Sequence, residues 1–305
     1  MSSDLAPILD RLAAVLGTPD GDPTPLDGGI TNRNYLVTMD GERYVVRLPG
    51  KDTGLLLIDR SAELEANRAA AALGIAPPVA AMLHDPPCIV TRFLDGRVME
   101  PAELREPGAL AEVAAALRTF HDSGPALPAV FDSFQIPIDY AATARERGVE
   151  PPEGYLEAME RAAEIRAVLR GPEHMRVPCH NDLLAANFIQ DGRGVRIVDW
   201  EYAGMGDRYF DLGNFAANNE LREDDAGLLL GAYWGEPARP GRQASLRLMR
   251  FMSDLREAMW GVVQSAVSEL DFDFTGYAAQ HFERLHETAS DPRFAASLEE
   301  ARAVA

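Results

Sequence analysis

Apolar and polar positions follow two different rhythms along this chain, and the change comes near residue 95. Residues 5–16 (LAPILDRLAAVL) carry apolar side chains at helical spacing, and a Pro/Gly/Asp stretch then stops the helix. NYLVTMDGERYVVRL (34–48) reads as two strands joined at Asp40-Gly41, a dipeptide suited to a tight hairpin turn. Residues 61–73 are rich in Ala, Leu and Glu and predict a helix that ends at Gly74. PCIVTRFL (87–94) is a further short strand with a turn after it at Asp95-Gly96. Beyond that point 109–121, 153–170 and 244–270 predict helices, and only NFI (187–189) and VRIVDW (195–200) predict strands. The pattern implies an α+β protein with a small β-rich N-terminal lobe, residues 1–94, and a larger, mainly helical C-terminal lobe, residues 95–305. A ligand is expected in the crevice between them.

Composition narrows the function classes. Against 48 Asp and Glu stand 29 Lys and Arg, a formal net charge of −19, which excludes the broad basic footprint that nucleic acid requires. Cys88 and Cys179 are the only cysteines and form no CxxC, so neither a disulfide framework nor a cysteine-rich zinc site is expected. The N-terminal segment has no basic start, and the most apolar stretch (69–83) is short and broken by Pro77 and Pro78, so no membrane insertion is expected. These features predict a cytoplasmic protein and specify no oligomeric state.

The densest polar constellation is CHNDLLAANFIQDGRGVRIVDWEYAG (179–204). His180, Asp182 and Asn187 are spaced HxDxxxxN, and Asp199 follows at the end of an apolar strand. Oxygen side chains grouped in this way suit a hard divalent cation beside a hydroxyl to be activated. Phosphoryl transfer asks for little more than an aligned hydroxyl and neutralised phosphates. Taken singly, each of these residues could equally make a polar turn.

Here the sequence resembles the aminoglycoside phosphotransferase superfamily, which has the protein-kinase-like fold, and within it the choline/ethanolamine kinases. The resemblance runs from about Gly28 to the helix ending near His286. It implies ATP and magnesium as cofactors. It also implies Asp182 as the group that positions and deprotonates the acceptor hydroxyl, Asn187 and Asp199 as magnesium ligands, and His180 as a structural support of the loop. GGITNRNYLV (28–37) resembles the hairpin over the ATP phosphates, with Gly28 and Gly29 allowing close approach and Thr31 and Asn32 offering side-chain hydrogen bonds. Arg47 stands where most kinases carry a phosphate-binding lysine, as in many choline kinases, and can grip phosphate bidentately. Its partner carboxylate is Glu63, with Glu65 the competitor on another helix face. Arg92, Phe93 and Leu94 align with the hinge whose backbone meets adenine, although Phe93 could simply be core.

DWEYAGMGDRYFDLGNFAAN (199–218) resembles the choline kinase signature. It places Glu201 toward an amine-bearing substrate and Asp211 as a structural brace of the catalytic loop. The segment 255–282 resembles the choline-kinase helix that carries substrate-pocket aromatics; along the 244–270 helix Leu248, Phe251, Leu255, Met259, Val262, Ala266 and Leu270 form a core stripe, while Trp260 lies about 100° off it. Trp260, Phe272, Phe274 and Tyr277 could cage a quaternary ammonium, and ordinary core packing is the competing reading for Phe272 and Phe274. Where eukaryotic relatives carry a second tryptophan, this chain has Glu257, which could pair with the substrate cation. The expectation is an ATP- and magnesium-dependent kinase of a small cationic alcohol, choline first and ethanolamine next. An aminoglycoside or thiamine kinase and a nucleotide-binding pseudokinase scaffold are the alternatives.

Overall fold

The computed structural model describes residues 5–26, 32–50, 53–85 and 87–302; Gly28, Gly29 and Thr31 lie outside the described residues. The N-terminal part comprises α1 (Ala6–Leu16), β1 (Thr24–Leu26), β2 (Asn32–Met39), β3 (Glu42–Pro49), α2 (Arg60–Ala72), β4 (Val79–His84) and β5 (Pro87–Arg92). Its strands form one antiparallel sheet in the order β1-β2-β3-β5-β4. The β2–β3 hairpin turns at Asp40-Gly41, where φ is 46° and 78°, a conformation these two residues adopt readily.

Alternation along the strands gives the sheet its two faces. Tyr44, Val46 and Leu48 of β3 and Cys88 and Val90 of β5 are buried against Leu5, Leu9 and Leu12 from the α1 end. The intervening residues, Val45, Arg47, Ile89 and Thr91, therefore point to the opposite face and line a cavity of about 510 Å³. One alternating strand thus supplies both the core and the charged group of the cleft.

The remainder is β6 (Arg97–Val98), α3 (Pro101–Leu104), α4 (Pro107–Ser123), α5 (Ile136–Glu146), α6 (Tyr155–Val168), β7 (Arg176–Cys179), β8 (Phe188–Gln190), β9 (Val195–Ile197), β10 (Gly204–Asp207), α7 (Arg208–Asn218), α8 (Glu223–Trp234), α9 (Pro240–Val267), α10 (Phe274–Ser290) and α11 (Pro292–Arg302). Two small antiparallel sheets, β10-β7 and β6-β8-β9, flank the segment that carries the HxDxxxxN residues. Among the described residues no helix is long and apolar enough to cross a membrane.

The structure revises the expected 244–270 helix. α9 ends at Val267, and the Ser268 hydroxyl accepts from Leu270 N–H at 3.2 Å as the chain turns. Leu270 is therefore off the stripe and exposed, whereas Leu248, Phe251, Leu255, Met259 and Val262 are core. More important, α9 has no solvated face over its central turns: Ser253, Asp254, Arg256, Glu257, Trp260 and Gln264 are all buried. The helix is the axle of the C-terminal part, wrapped by α5, α7, α10 and α11, so its polar residues must find partners inside.

α7 approaches α9 closely at Gly213, where an added Cβ would lie 2.7 Å from the Met249 carbonyl carbon and 2.9 Å from the Arg250 nitrogen. Backbone cannot yield as a side chain can, so Gly213→Ala should cost about 1–3 kcal/mol. The measurement is a urea midpoint, expected to fall; an unchanged midpoint would show that α7 can shift freely against α9.

Candidate active site

The loop after β7 is held from below by one buried carboxylate. Asp211, in the first turn of α7, accepts from the backbone N–H of His180 at 2.8 Å and of Asn181 at 2.6 Å, and contacts His121 Nε2 at 3.0 Å. One turn on, Asn214 Oδ1 accepts from Leu183 N–H at 2.6 Å. Asn181 adopts φ 68°, a left-handed conformation uncommon for a side-chain-bearing residue, and its amide donates to Tyr202 O at 3.0 Å. His121, Cys179 and Asp211 also lie close enough to suggest a metal site, but the Asp211 oxygens are already engaged by these three donors.

His180 is wholly buried, with Nε2 2.9 Å from Val198 O and Nδ1 3.2 Å from Asp182 N–H. Nε2 therefore donates and Nδ1 accepts, the neutral tautomer, and neither nitrogen is left to carry a proton for chemistry. Burial pushes its pKa below the ordinary value of 6.5, with the Asp211 charge opposing the shift.

Asp182, Asn187 and Asp199 come together as their spacing suggests. Asn187 ends a 3₁₀ turn (Ala185–Asn187), and its Nδ2 donates to Asp182 O at 2.8 Å, which leaves Oδ1 as its outward donor atom. Asn187 O accepts from Val198 N–H at 3.0 Å, tying the turn to the strand that leads to Asp199. Asp199 has φ 65°, in the left-handed region that Asp tolerates better than most residues, and lines the 510 Å³ cavity together with Asn187. Two hard oxygen donors on one cavity wall fit a magnesium ion whose remaining ligands come from phosphate and water.

The opposite wall brings Arg47 to the same point. Its Nη1 lies 2.6 Å from Asp199 Oδ1 and 3.2 Å from Glu63 Oε1. Burial opposes its charge, but Asp199, Glu63 and Glu201 together raise its pKa and keep it protonated. Glu63 is buried near the start of α2, whose Asp59 cap accepts from Ser61 N–H at 2.8 Å and Ala62 N–H at 3.1 Å. Glu65 is exposed, so the competition between the two carboxylates resolves to Glu63. Arg60 adds a second bridge, with Nη1 at 2.6 Å from Glu63 Oε2 and 3.2 Å from Glu201 Oε2.

Asn32 does not face the cavity as a free donor; its Nδ2 donates to Glu201 Oε2 at 2.9 Å. Glu201 is raised to about 7, by burial first and the Asp199 charge next. The Arg92 side chain turns outward, pairing with Glu42 and covering the Tyr44 ring, while Arg92, Phe93 and Leu94 all line the cavity.

The aromatic group is compact. Trp260 packs on Phe274 and Tyr277 with ring centroids 5.7 and 5.5 Å away, and its Nε1 donates to Tyr202 Oη at 2.9 Å. Phe274 is buried, whereas Phe272 is 40% exposed and sits at the rim. Glu257 is not free to meet a substrate. Arg256 Nη1 lies 2.6 Å from it, Tyr277 Oη donates to it at 2.9 Å, and it is buried. Burial opposes its ionisation, but the Arg256 guanidinium prevails and holds its pKa below the ordinary range. Burial also drives Asp182 well above the ordinary value, Arg256 at 3.4 Å opposing. A carboxylate whose pKa is raised is the stronger base once it is ionised.

Arg60, Arg256, Tyr202 and the Asn181/Asn214 supports were not singled out from sequence. Arg60 had a signal, since it stands i, i+3 from Glu63 on one helix. Arg256 had none, because a charge off the apolar stripe reads as solvated.

A two-lobed fold with these groups across its cleft defines a phosphotransferase of the protein-kinase-like class. The model of the Phosphotransferase enzyme family matches residues 22–246. A crystallised choline/ethanolamine kinase family protein from Mesorhizobium loti is 31% identical, covers 99% of this chain and 100% of its own, and superposes with a TM-score of 0.85. Human ethanolamine kinase 2 is 29% identical over 282 residues, 83% of this chain and 72% of that protein. The choline kinase LicA of Streptococcus pneumoniae shares the fold, with a TM-score of 0.77 at 21% identity over 94% of this chain and 99% of that one. The chain belongs to the phosphotransferase enzyme family and, within it, to the choline/ethanolamine kinase family. It is a small-molecule kinase.

The buried neutral His180 makes stability depend on pH. Unfolding restores its ordinary affinity for a proton, so the unfolded chain binds one that the folded chain refuses once the pH drops below 6.5. Its contribution is complete above that value and lost below it. Between about pH 7.5 and 5.5 the urea midpoint of the wild type should therefore lose ground relative to that of His180→Gln, in which this contribution is absent while the raised Glu201 and Asp182 remain in both. Equal slopes would show that His180 titrates freely in the folded protein.

Proposed function

We propose that this protein transfers the terminal phosphoryl group of ATP, with magnesium, to the hydroxyl of a small amino alcohol of the choline/ethanolamine class. The observation that carries the reading is the convergence of Asn187 and Asp199 from the C-terminal side with Arg47 from the sheet around one cavity, with Asp182 tied to Asn187 through its backbone carbonyl. In this reading residues 1–94 hold the nucleotide, and residues 95–305 hold the catalytic groups and the acceptor.

Asp182 aligns the acceptor hydroxyl and takes its proton as the bond from that oxygen to the terminal phosphorus forms and the bond from the phosphorus to the departing ADP oxygen breaks. Asn187 Oδ1 and the Asp199 carboxylate hold magnesium, which when bound neutralises phosphate charge. Arg47 exchanges Asp199 for phosphate oxygens, and Glu63 keeps it in place. The backbone of 92–94 meets the adenine ring, and Gly28, Gly29, Thr31 and Asn32 belong to the segment over the phosphates. Glu201 and the Trp260–Phe274–Tyr277 group, with Phe272 at its rim, form the amine side. His180 and Asp211 act only through the loop they support.

The test is magnesium-dependent ADP release from ATP with choline, ethanolamine, thiamine and an aminoglycoside. Turnover is expected with an amino alcohol and should fall by at least about a hundredfold in Asp182→Ala, while nucleotide binding persists. Undiminished turnover in that variant would remove Asp182 from the chemistry. Turnover with thiamine or the aminoglycoside alone would overturn the acceptor class.

A further inference from the structure

Beside Asp182, aromatic and acidic side chains already surround a cation. Arg256, in the middle of α9, is 1% exposed, and its guanidinium carbon stands 4.2 Å from the centre of the Tyr202 ring and 6.0 Å from that of Phe131. Nη1 lies 2.6 Å from Glu257 and 3.4 Å from Asp182. Nε and Nη2 are buried with no hydrogen-bond partner among the described residues. A buried guanidinium with unmatched donors is costly, and such a group calls for a reason beyond stability.

Its position supplies one. An acceptor hydroxyl on Asp182 places the amine only two carbons away, in the neighbourhood that Arg256 fills. A trimethylammonium donates no hydrogen bond and is captured by ring faces, but the Tyr202 face carries the guanidinium. A primary ammonium has three N–H donors and is captured by a carboxylate instead. Glu201 is the nearby acid not paired with Arg256; Arg60 and Asn32 meet it through Oε2, and it lines a small cavity with Tyr202, Tyr140 and Phe131.

We propose that Arg256 is the residue that sets acceptor selectivity: by stacking on Tyr202 next to Asp182, it makes the site take a primary amino alcohol in preference to a quaternary one. This deepens the amino-alcohol reading and rests on it. Choline, the first expectation from sequence, becomes the poorer substrate.

The experiment is kcat/KM for ethanolamine and its N-methyl, N,N-dimethyl and N,N,N-trimethyl derivatives. It is run on the wild type, Arg256→Lys, and the double variant Arg256→Met/Glu257→Gln, which removes both charges of the buried pair together. In the wild type kcat/KM should fall with each methyl, by roughly tenfold or more over the series, within the range that ring–cation contacts command. The double variant should lose most of that preference by gaining on choline, and Arg256→Lys should keep more of it. Highest wild-type activity on choline, or an undiminished preference in a folded double variant, would overturn the inference while leaving the amino-alcohol kinase intact. No turnover of any of the four would overturn both.

Discussion

The architecture depends on one arginine that answers to two carboxylates from different parts of the chain. Arg47 reaches Asp199 at 2.6 Å and Glu63 at 3.2 Å, so a strand, a helix and the loop after β9 meet at a single guanidinium. Arg60 repeats the device between Glu63 and Glu201, and Asn32 adds a neutral link to Glu201. Buried charges persist only where each is paired, because an isolated one loses its hydration without return. The cleft is thereby held in register by the groups proposed to handle phosphate and metal, and its resting ion pairs stand where phosphate would later compete.

On the other side the demand is rigidity. The loop from His180 to Asn187 carries its reactive groups outward because its backbone amides are satisfied from within, by Asp211 and Asn214 on successive turns of α7. α7 is fixed in turn by close contact with α9 at Gly213. A site built on buried hydrogen bonds to helices holds its geometry better than one built on a free loop. The left-handed Asn181 and Asp199, residue types that tolerate that conformation, show where the backbone turns to aim side chains.

Much of this was legible before any coordinates. The hairpin was readable from alternation around Asp40-Gly41, because strand period and turn chemistry are local. The HxDxxxxN spacing was readable because those residues share one short segment. Resemblance then supplied long-range pairings such as Arg47 with Glu63, which periodicity does not encode. The misreadings cluster on α9. A stripe of apolar residues predicts which face is buried, not that the other face is buried as well. Glu257 therefore reads as available and Arg256 carries no signal at all, whereas enclosure by four helices forces them into a pair. Whether a polar residue is free or engaged depends on its neighbours in space.

The most direct measurement of the shared-arginine constraint is a double-mutant cycle between Arg47→Met and Glu63→Gln, read out on magnesium–ATP affinity. If Glu63 acts by holding Arg47, each single variant weakens binding and the double variant is little worse than the worse single one, a coupling of about 1–3 kcal/mol. Additive losses would contradict the account, since the two residues would then serve the nucleotide independently.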